Sequence, residues 1–241
     1  IGIVLLSLFW GGLNAQVIRP YLQVPLDTSV WITWKTDSEK ESKVIYGKDS
    51  ANLESIVTGD CRVLSDADYD SNYFYHSVHL TGLDPYQPYY YRVISGLLQS
   101  KTYRFYTQPS NGVSSGVYRF LVFGDHQVKA DDRYERLLIA ARNKVIEKYG
   151  GSVEDHINLI LNDGDQVDQG ILDQYEYVHF YPSAVLSGNV PIMTTVGNHE
   201  MYGSPGISLY YDHYFYDHIG YKGIVSPGGE NYYSYQQKNI V

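Results

Sequence analysis

Two periods of hydrophobic and polar positions divide the chain. Between residues 17 and 108 apolar and polar residues alternate in short runs. Val30, Ile32 and Trp34 alternate with Trp31, Thr33 and Lys35, which predicts a half-buried strand with Trp34 on its inner face. Val44-Ile45-Tyr46 predicts a second strand ending at Gly47, and His76 to Leu80 a third. The chain then turns through Thr81-Gly82-Leu83-Asp84-Pro85 into a strand over Tyr89 to Val93, and Lys101 to Thr107 predicts the last one. His76 and His79 fall inside this alternation and read as strand residues. The region reads as an all-β sandwich with its own core and a flexible exit, expected to fold alone.

From residue 117 the period changes. A strand is predicted over 117–123, and then a helix from Asp131 to Tyr149. In that helix Leu137, Leu138, Ala141, Val145 and Ile146 recur at helical spacing, with Asp131 and Asp132 as start signals and Gly150 as stop. A strand at 157–161, a helical stretch within 172–187 and a strand at 190–196 follow. This βαβαβ order predicts parallel strands with right-handed crossovers, hence an α/β domain. Residues beyond Glu200 read as irregular, with a strand at Tyr232 to Tyr235. The domain reading is 17–108 for the sandwich, 109–117 for a polar linker, and 118–241 for an incomplete α/β (α+β) domain.

Residues 1–15 form an uncharged apolar run that ends in small residues, too short to span a bilayer. They match the hydrophobic and cleavage parts of a secretory signal, with a cut after Ala15, and imply a secreted or periplasmic protein. A buried first strand is the other reading of this run. The starting Met and basic segment of a signal are missing, so the front reads as truncated.

Composition narrows the partners. A formal net charge of −9 argues against a nucleic-acid backbone, which wants clustered Lys and Arg. The one cysteine, Cys61, allows no intramolecular disulfide and reads as a small buried or semi-buried thiol. The 26 tyrosines suit strands and half-wet surfaces. The sequence sets no oligomeric state.

The candidate chemistry sits where three apolar runs break off. Phe120-Leu121-Val122-Phe123 runs into Gly124-Asp125-His126-Gln127. Leu159-Ile160-Leu161 runs into Asn162-Asp163-Gly164-Asp165, with Asp168 after it. Ile192 to Val196 runs into Gly197-Asn198-His199-Glu200. In open α/β sheets the carboxyl ends of the strands are where ligands bind. Asp125, Asp165, Asn198 and His199 would be delivered to one rim. Hard oxygen donors beside an imidazole suit a metal site working on phosphate.

At these motifs the chain resembles the calcineurin-like metallophosphoesterases. With its amino-terminal part it is similar to the purple acid phosphatases, and the Leu83, Pro85, Tyr89, Tyr91, Val93 spacing resembles a fibronectin type III domain. The resemblance implies hydrolysis of phosphate monoesters at two metal ions (Fe, Zn or Mn). Asp165 would bridge the ions, Asp125 would bind the first and Asn198 the second. His199 would face the phosphate as acid or electrostatic group. Two positions depart from the purple acid phosphatase pattern. Asp168 stands where those enzymes carry the tyrosine that gives them colour, and it matches the aspartate that pairs with the motif histidine in protein Ser/Thr phosphatases. Gln127 stands where many relatives have a histidine ligand, so it is at most a weak ligand, and His126 lies one residue early. His213 and His218 match no motif and read as exposed loop histidines. The family's other histidine ligands are expected beyond Val241, so these 241 residues are expected to carry part of the site and no turnover. The competing readings are a phosphodiesterase or nucleotide hydrolase, and a non-catalytic extracellular binding protein on a degenerate scaffold.

Overall fold

A computed structural model of the chain describes residues 18–66, 71–110, 116–127, 131–216 and 233–235. The expected signal segment, His218 and Tyr232 lie outside the described residues. The amino-terminal part is an eight-stranded antiparallel sheet. Its strands are β1 (Tyr21–Gln23), β2 (Val30–Thr36), β3 (Ser42–Gly47), β4 (Ser55–Asp66), β5 (Ser71–Leu80), β6 (Pro88–Ser95), β7 (Leu98–Gln99) and β8 (Tyr103–Tyr106). They run in the order β1-β2-β5-β4-β3-β6-β7, with β8 also on β6.

Strand β4, which alternation alone did not reveal, closes this sheet into a sandwich-like body. Its first residues pair with β3 up to the Ser42–Gly59 rung, and from Asp60, opposite Ser77, it pairs with β5. Gly59 sits at the switch, where an added Cβ would fall 1.9 Å from the Ser77 carbonyl oxygen, so only glycine allows that approach. Both halves face one core that includes Leu22, Ile32, Trp34, Val78, Tyr91 and Phe105, all fully buried. The turn before β6 is fixed by the backbone N–H of Asp84 donating to Tyr89 Oη at 2.9 Å. A tyrosine locks a sandwich corner in this way.

The second sheet is parallel, in the order β11-β10-β9: β9 (Phe120–Phe123), β10 (Leu159–Asn162) and β11 (Ile192–Thr194). Helix α1 (Arg133–Tyr149) crosses from β9 to β10 and buries Tyr134, Leu138 and Val145 against Ile160, Ile192 and Val190. Leu137 and Ile146, expected on that stripe, stand 53% and 37% exposed, so the buried face is narrower than the spacing suggested. Between β10 and β11 lie α2 (Leu172–Gln174), a π-helical segment (Tyr175–Phe180) and α3 (Tyr181–Ser183). Past Glu200 the chain is less irregular than expected, since α4 (Ile207–His213) forms there. Tyr233 to Tyr235 are not a strand.

Besides the sandwich's own core, the two parts share a second buried cluster. The second face of β2 is covered rather than wet. Lys35 forms a buried ion pair with Glu176 and lies over the Phe180 ring at 3.8 Å. Trp31 stacks on Phe215 at 4.4 Å. Tyr21, Val24 and Tyr75 from the amino-terminal part join Leu159, Tyr175, Tyr210 and Tyr214 in one buried cluster. Many tyrosines are therefore core residues here and not surface ones, and Tyr75 Oη, for one, donates to the His213 carbonyl at 2.7 Å. Backbone bonds reinforce the seam, among them Leu22 N–H to Ser187 O at 3.0 Å. Among the described residues no helix is long and apolar enough to cross a membrane.

Candidate active site

Phe123, Asn162 and Thr194 end the three parallel strands on one rung, Phe123 opposite Asn162 and Asn162 opposite Thr194. The three following turns therefore start level, and they interlock. Asp163 N–H donates to Phe123 O at 2.9 Å, Asp125 N–H to Gly164 O at 3.2 Å, and Thr195 N–H to Asn162 O at 2.9 Å. A Cβ on Gly124 would lie 1.5 Å from Asp163 Oδ1, and one on Gly197 2.1 Å from Asp165 Oδ1. Gly197 is thus demanded by the contact between turns, since the Asp165 backbone nitrogen would also lie 2.4 Å away, whereas a side chain at Gly124 would have to displace that of Asp163.

Asp125 and Asp165 both sit in the left-handed region, at φ of 52° and 49°. An L-residue held there carries roughly 1–3 kcal/mol of strain, and such residues gather at functional sites. Asp tolerates the region better than most. Asp165 Oδ1 accepts the backbone N–H of His199 at 3.1 Å, which joins the second turn to the third. His199 Nδ1 lies 3.0 Å from the Asp168 carbonyl oxygen and 3.5 Å from Asp168 Oδ1. Nδ1–H donates there, the ring is oriented, and Nε2 is left for other work. Asn198 Nδ2 donates to Tyr202 Oη at 3.1 Å, leaving Asn198 Oδ1 as its acceptor end. Asp125 and Asn198 are exposed, and Asp165, Asp168 and His199 are half-buried.

Glu200 is the residue that sequence reasoning left without a role. It is fully buried. Its carboxylate accepts the backbone N–H groups of Gln166 (2.6 Å), Gly197 (2.6 Å), Asp165 (3.1 Å) and Val167 (3.4 Å). Burial raises its pKa and the four N–H donors oppose that rise. One acidic side chain thus shapes two turns from within. Its place beside the motif histidine was visible in the sequence, but residue type alone does not separate a carboxylate that organises backbone from one that binds ligand.

The model of the calcineurin-like phosphoesterases matches residues 118–238, and the model of the purple acid phosphatase N-terminal domain matches residues 17–120. The chain belongs to the calcineurin-like phosphoesterases. Among solved structures it is similar to the purple acid phosphatase PPD1 from yellow lupin (Lupinus luteus) seeds, at 19% identity and a TM-score of 0.59, over 88% of this chain and 38% of that one. It is also similar to PhoD, at 14% identity and a TM-score of 0.54, over 90% of this chain and 48% of that one. At these identities the likeness is one of fold. The chain spans less than half the length of either protein. No curated protein matches it.

For this phosphoesterase chain the donor chemistry fits hard cations. Asp125, Asp165 and Asn198 Oδ1 are oxygen donors on adjacent turns. Gln127 Oε1, beside them in the first turn, is buried without a hydrogen-bond partner among the described residues, a lone pair that a cation would satisfy. Among the described residues no group of three or more His, Cys, Asp or Glu side chains is placed to hold a metal ion.

Two further histidines, His126 and His179, pack together behind the first turn. His126 stacks on Tyr134, centroids 3.6 Å apart, and its Nε2 lies 3.0 Å from His179 Nδ1. Burial pushes the His126 pKa down to about 3 and that of His179 well below the usual imidazole range. A cavity of about 160 Å³ opens beside Asp125, walled by His126, Arg133, Tyr134, Leu137 and Val178. His213, expected as an exposed loop residue, is fully buried at the end of α4, its Nδ1–H donating to Leu209 O at 2.6 Å and its ring against Tyr75, Tyr175 and Phe180. A histidine that closes a helix against an aromatic core has no distinguishing mark in a loop-like sequence.

Proposed function

We propose that this protein hydrolyses phosphate monoesters at a dinuclear metal centre held in part by Asp125, Asp165 and Asn198, with Asp165 as the bridge and Gln127 as a weak further donor. The observation that carries this reading is the pair of left-handed aspartates, Asp125 and Asp165, on turns that leave neighbouring parallel strands at one level. Bound metal ions, whether Fe, Zn or Mn, would supply charge stabilisation and an activated water at such a rim. The chain's own residues do the rest. Asp168 holds the imidazole of His199 through Nδ1, which leaves Nε2 to protonate the leaving ester oxygen or stabilise charge on the phosphoryl group. Glu200 keeps the second and third turns in register. The formal charge of −9 supports a small ester over a nucleic acid as partner. The apolar run at residues 1–15 supports export, to the periplasm or outside the cell.

The test is hydrolysis of p-nitrophenyl phosphate by the full-length protein, with and without chelation, beside bis(p-nitrophenyl) phosphate. Metal-dependent turnover of the monoester, lost on chelation, is the expected result. His199→Ala should cost roughly 10²–10⁴ in turnover with metal content intact, as for a general acid. Preference for the diester would move the substrate class to phosphodiesters. Absence of turnover with any of these metals would favour a binding protein on the same scaffold.

A further inference from the structure

Asp125 and Asp165 are each followed by a residue that reaches inward, His126 and Gln166, and a series of hydrogen bonds joins those two. Tyr214 Oη donates its single hydrogen to Gln166 Oε1 at 2.6 Å, since a carbonyl oxygen has none to give. The same Oη lies 3.1 Å from His179 Nε2, so there it accepts, and Nε2 carries a proton. His179 is fully buried and has no carboxylate in the chain of bonds, which keeps its ring neutral. A neutral imidazole has one proton. His179 Nδ1 is then a bare acceptor, and His126 Nε2, 3.0 Å away, donates to it. The orphaned state of His126 Nδ1, buried with no hydrogen-bond partner among the described residues, agrees with a ring whose proton is on Nε2. At the far end Gln166 Nε2 donates to Thr195 O across a long 3.5 Å. All donors point one way, from His126 through His179, Tyr214 and Gln166 to Thr195, and the path touches each of the three turns.

We propose that His179 and Tyr214 are positioning residues, and that their one-way hydrogen-bond chain holds the turns of Asp125 and Asp165 in the geometry that binds metal. Two strained residues persist only where the surroundings over-determine them. The hydrogen bonds of Glu200 reach the second and third turns, to Asp165, Gln166, Val167 and Gly197. The chain through His179 adds a side-chain tie to the backbone bond that Asp125 N–H makes with Gly164 O. His179 comes from the π-helical segment Tyr175–Phe180, a distortion found mostly where function places a side chain. Tyr214 follows α4, so an element beyond the three motifs also bears on their geometry. The proposal rests on the reading of Asp125 and Asp165 as metal ligands.

Two measurements on the full-length protein test it. The first needs no metal: ¹⁵N shifts of the imidazoles should show the Nε2–H tautomer for both His126 and His179, and an Nδ1–H tautomer on either ring overturns the assignment. The second compares Mn²⁺ binding by calorimetry in wild type, Tyr214→Phe and Tyr91→Phe. Tyr91 is an equally buried tyrosine whose hydroxyl donates to Gly188 O at 2.7 Å, at the seam rather than in the chain. Tyr214→Phe should weaken Mn²⁺ binding roughly 10–100-fold, as loss of an outer support does, while Tyr91→Phe leaves it unchanged. Equal weakening in both variants would reduce the effect to a loosened core, and unchanged affinity in Tyr214→Phe would remove the positioning role. A wild type that binds no Mn²⁺ would instead sink the ligand assignment, and the tautomer result would still decide the direction of the chain.

Discussion

The backbone N–H of Asp125 donates to the carbonyl of Gly164 at 3.2 Å, so the residue before Asp165 holds the main chain of Asp125. Both aspartates are left-handed, and the bond links the two strained positions directly. This gives a signature that separates backbone strain from ligand chemistry. Asp125→Gly relieves the strain and Asp125→Ala keeps it. In urea unfolding the alanine variant should be less stable than the glycine variant by about 1 kcal/mol, the lower end of the left-handed penalty for a residue with a Cβ. Metal affinity should fall in both. An alanine variant as stable as the glycine one would show that the turn relaxes and that φ at Asp125 is not held.

The seam between the two sheets yields a second test. Lys35 and Glu176 keep 7% and 6% of their side-chain surface exposed, and burial lowers the pKa of Lys35 while Glu176 raises it. Removing one partner leaves a buried charge alone, which typically costs about 3–5 kcal/mol, whereas replacing both with apolar groups is often neutral. Lys35→Met and Glu176→Leu should each lower stability strongly, and the double variant should recover most of the loss. Both sheets should unfold in one transition, because their aromatic core is shared. Separate transitions in the wild type would show that the sandwich stands by itself.

Acid should destabilise the fold through its buried imidazoles. His76 is fully buried in β5, its ring nitrogens bonded to the hydroxyls of Thr36 and Ser42 at 2.8 Å each. Burial, and then the charge of Lys40, lower its pKa from 6.5 to about 4. The unfolded chain therefore binds a proton at His76 below pH 6.5 that the folded chain refuses until about pH 4. Stability falls as pH drops through that window and levels off below it. Urea midpoints at pH 7 and pH 4.5 should differ less in His76→Gln than in wild type. An equal difference would mean that His76 titrates normally.

Much of this architecture was legible because its determinants are local. Alternation marked β2, β5 and β6, and apolar runs that end in Gly-Asp or Gly-Asn-His marked the rim where Asp125, Asp165 and Asn198 now stand on neighbouring turns. What stayed hidden depends on partners distant in sequence. Thr33 and Lys35 read as a wet face because nothing local shows that Phe180 and Glu176 cover it. Residues of β4 such as Thr58, Asp60 and Arg62 look like loop, since a strand that changes sheets need not alternate cleanly. Glu200 and His213 carry no spacing signal, as their roles come from backbone N–H groups and rings supplied by other turns. Tyr214 and His179 likewise gain meaning only once α4 and the π-helical segment meet.

Colour should distinguish this chain from the purple acid phosphatases, whose amino-terminal domain it shares. A visible charge-transfer band needs a phenolate bonded to ferric iron. At the matching position stands Asp168, whose carboxylate lies 3.5 Å from His199 Nδ1 and offers no such transition. Tyr175 is fully buried and Tyr177 is 59% exposed on the π-helical segment, so neither is set on the turns of the rim. The phenol that touches a candidate ligand is Tyr202, whose hydroxyl accepts from Asn198 Nδ2 at 3.1 Å. In that arrangement Tyr202 orients the Asn198 amide. The iron-loaded full-length protein should therefore be colourless, and oxygen donors without a phenolate should accept Zn or Mn as readily. An absorption spectrum after loading with iron decides the matter. A strong visible band that disappears in Tyr202→Phe would show that Tyr202 turns from Asn198 to the metal, and would replace Asp168 with Tyr202 as the residue that fills the family's tyrosine role.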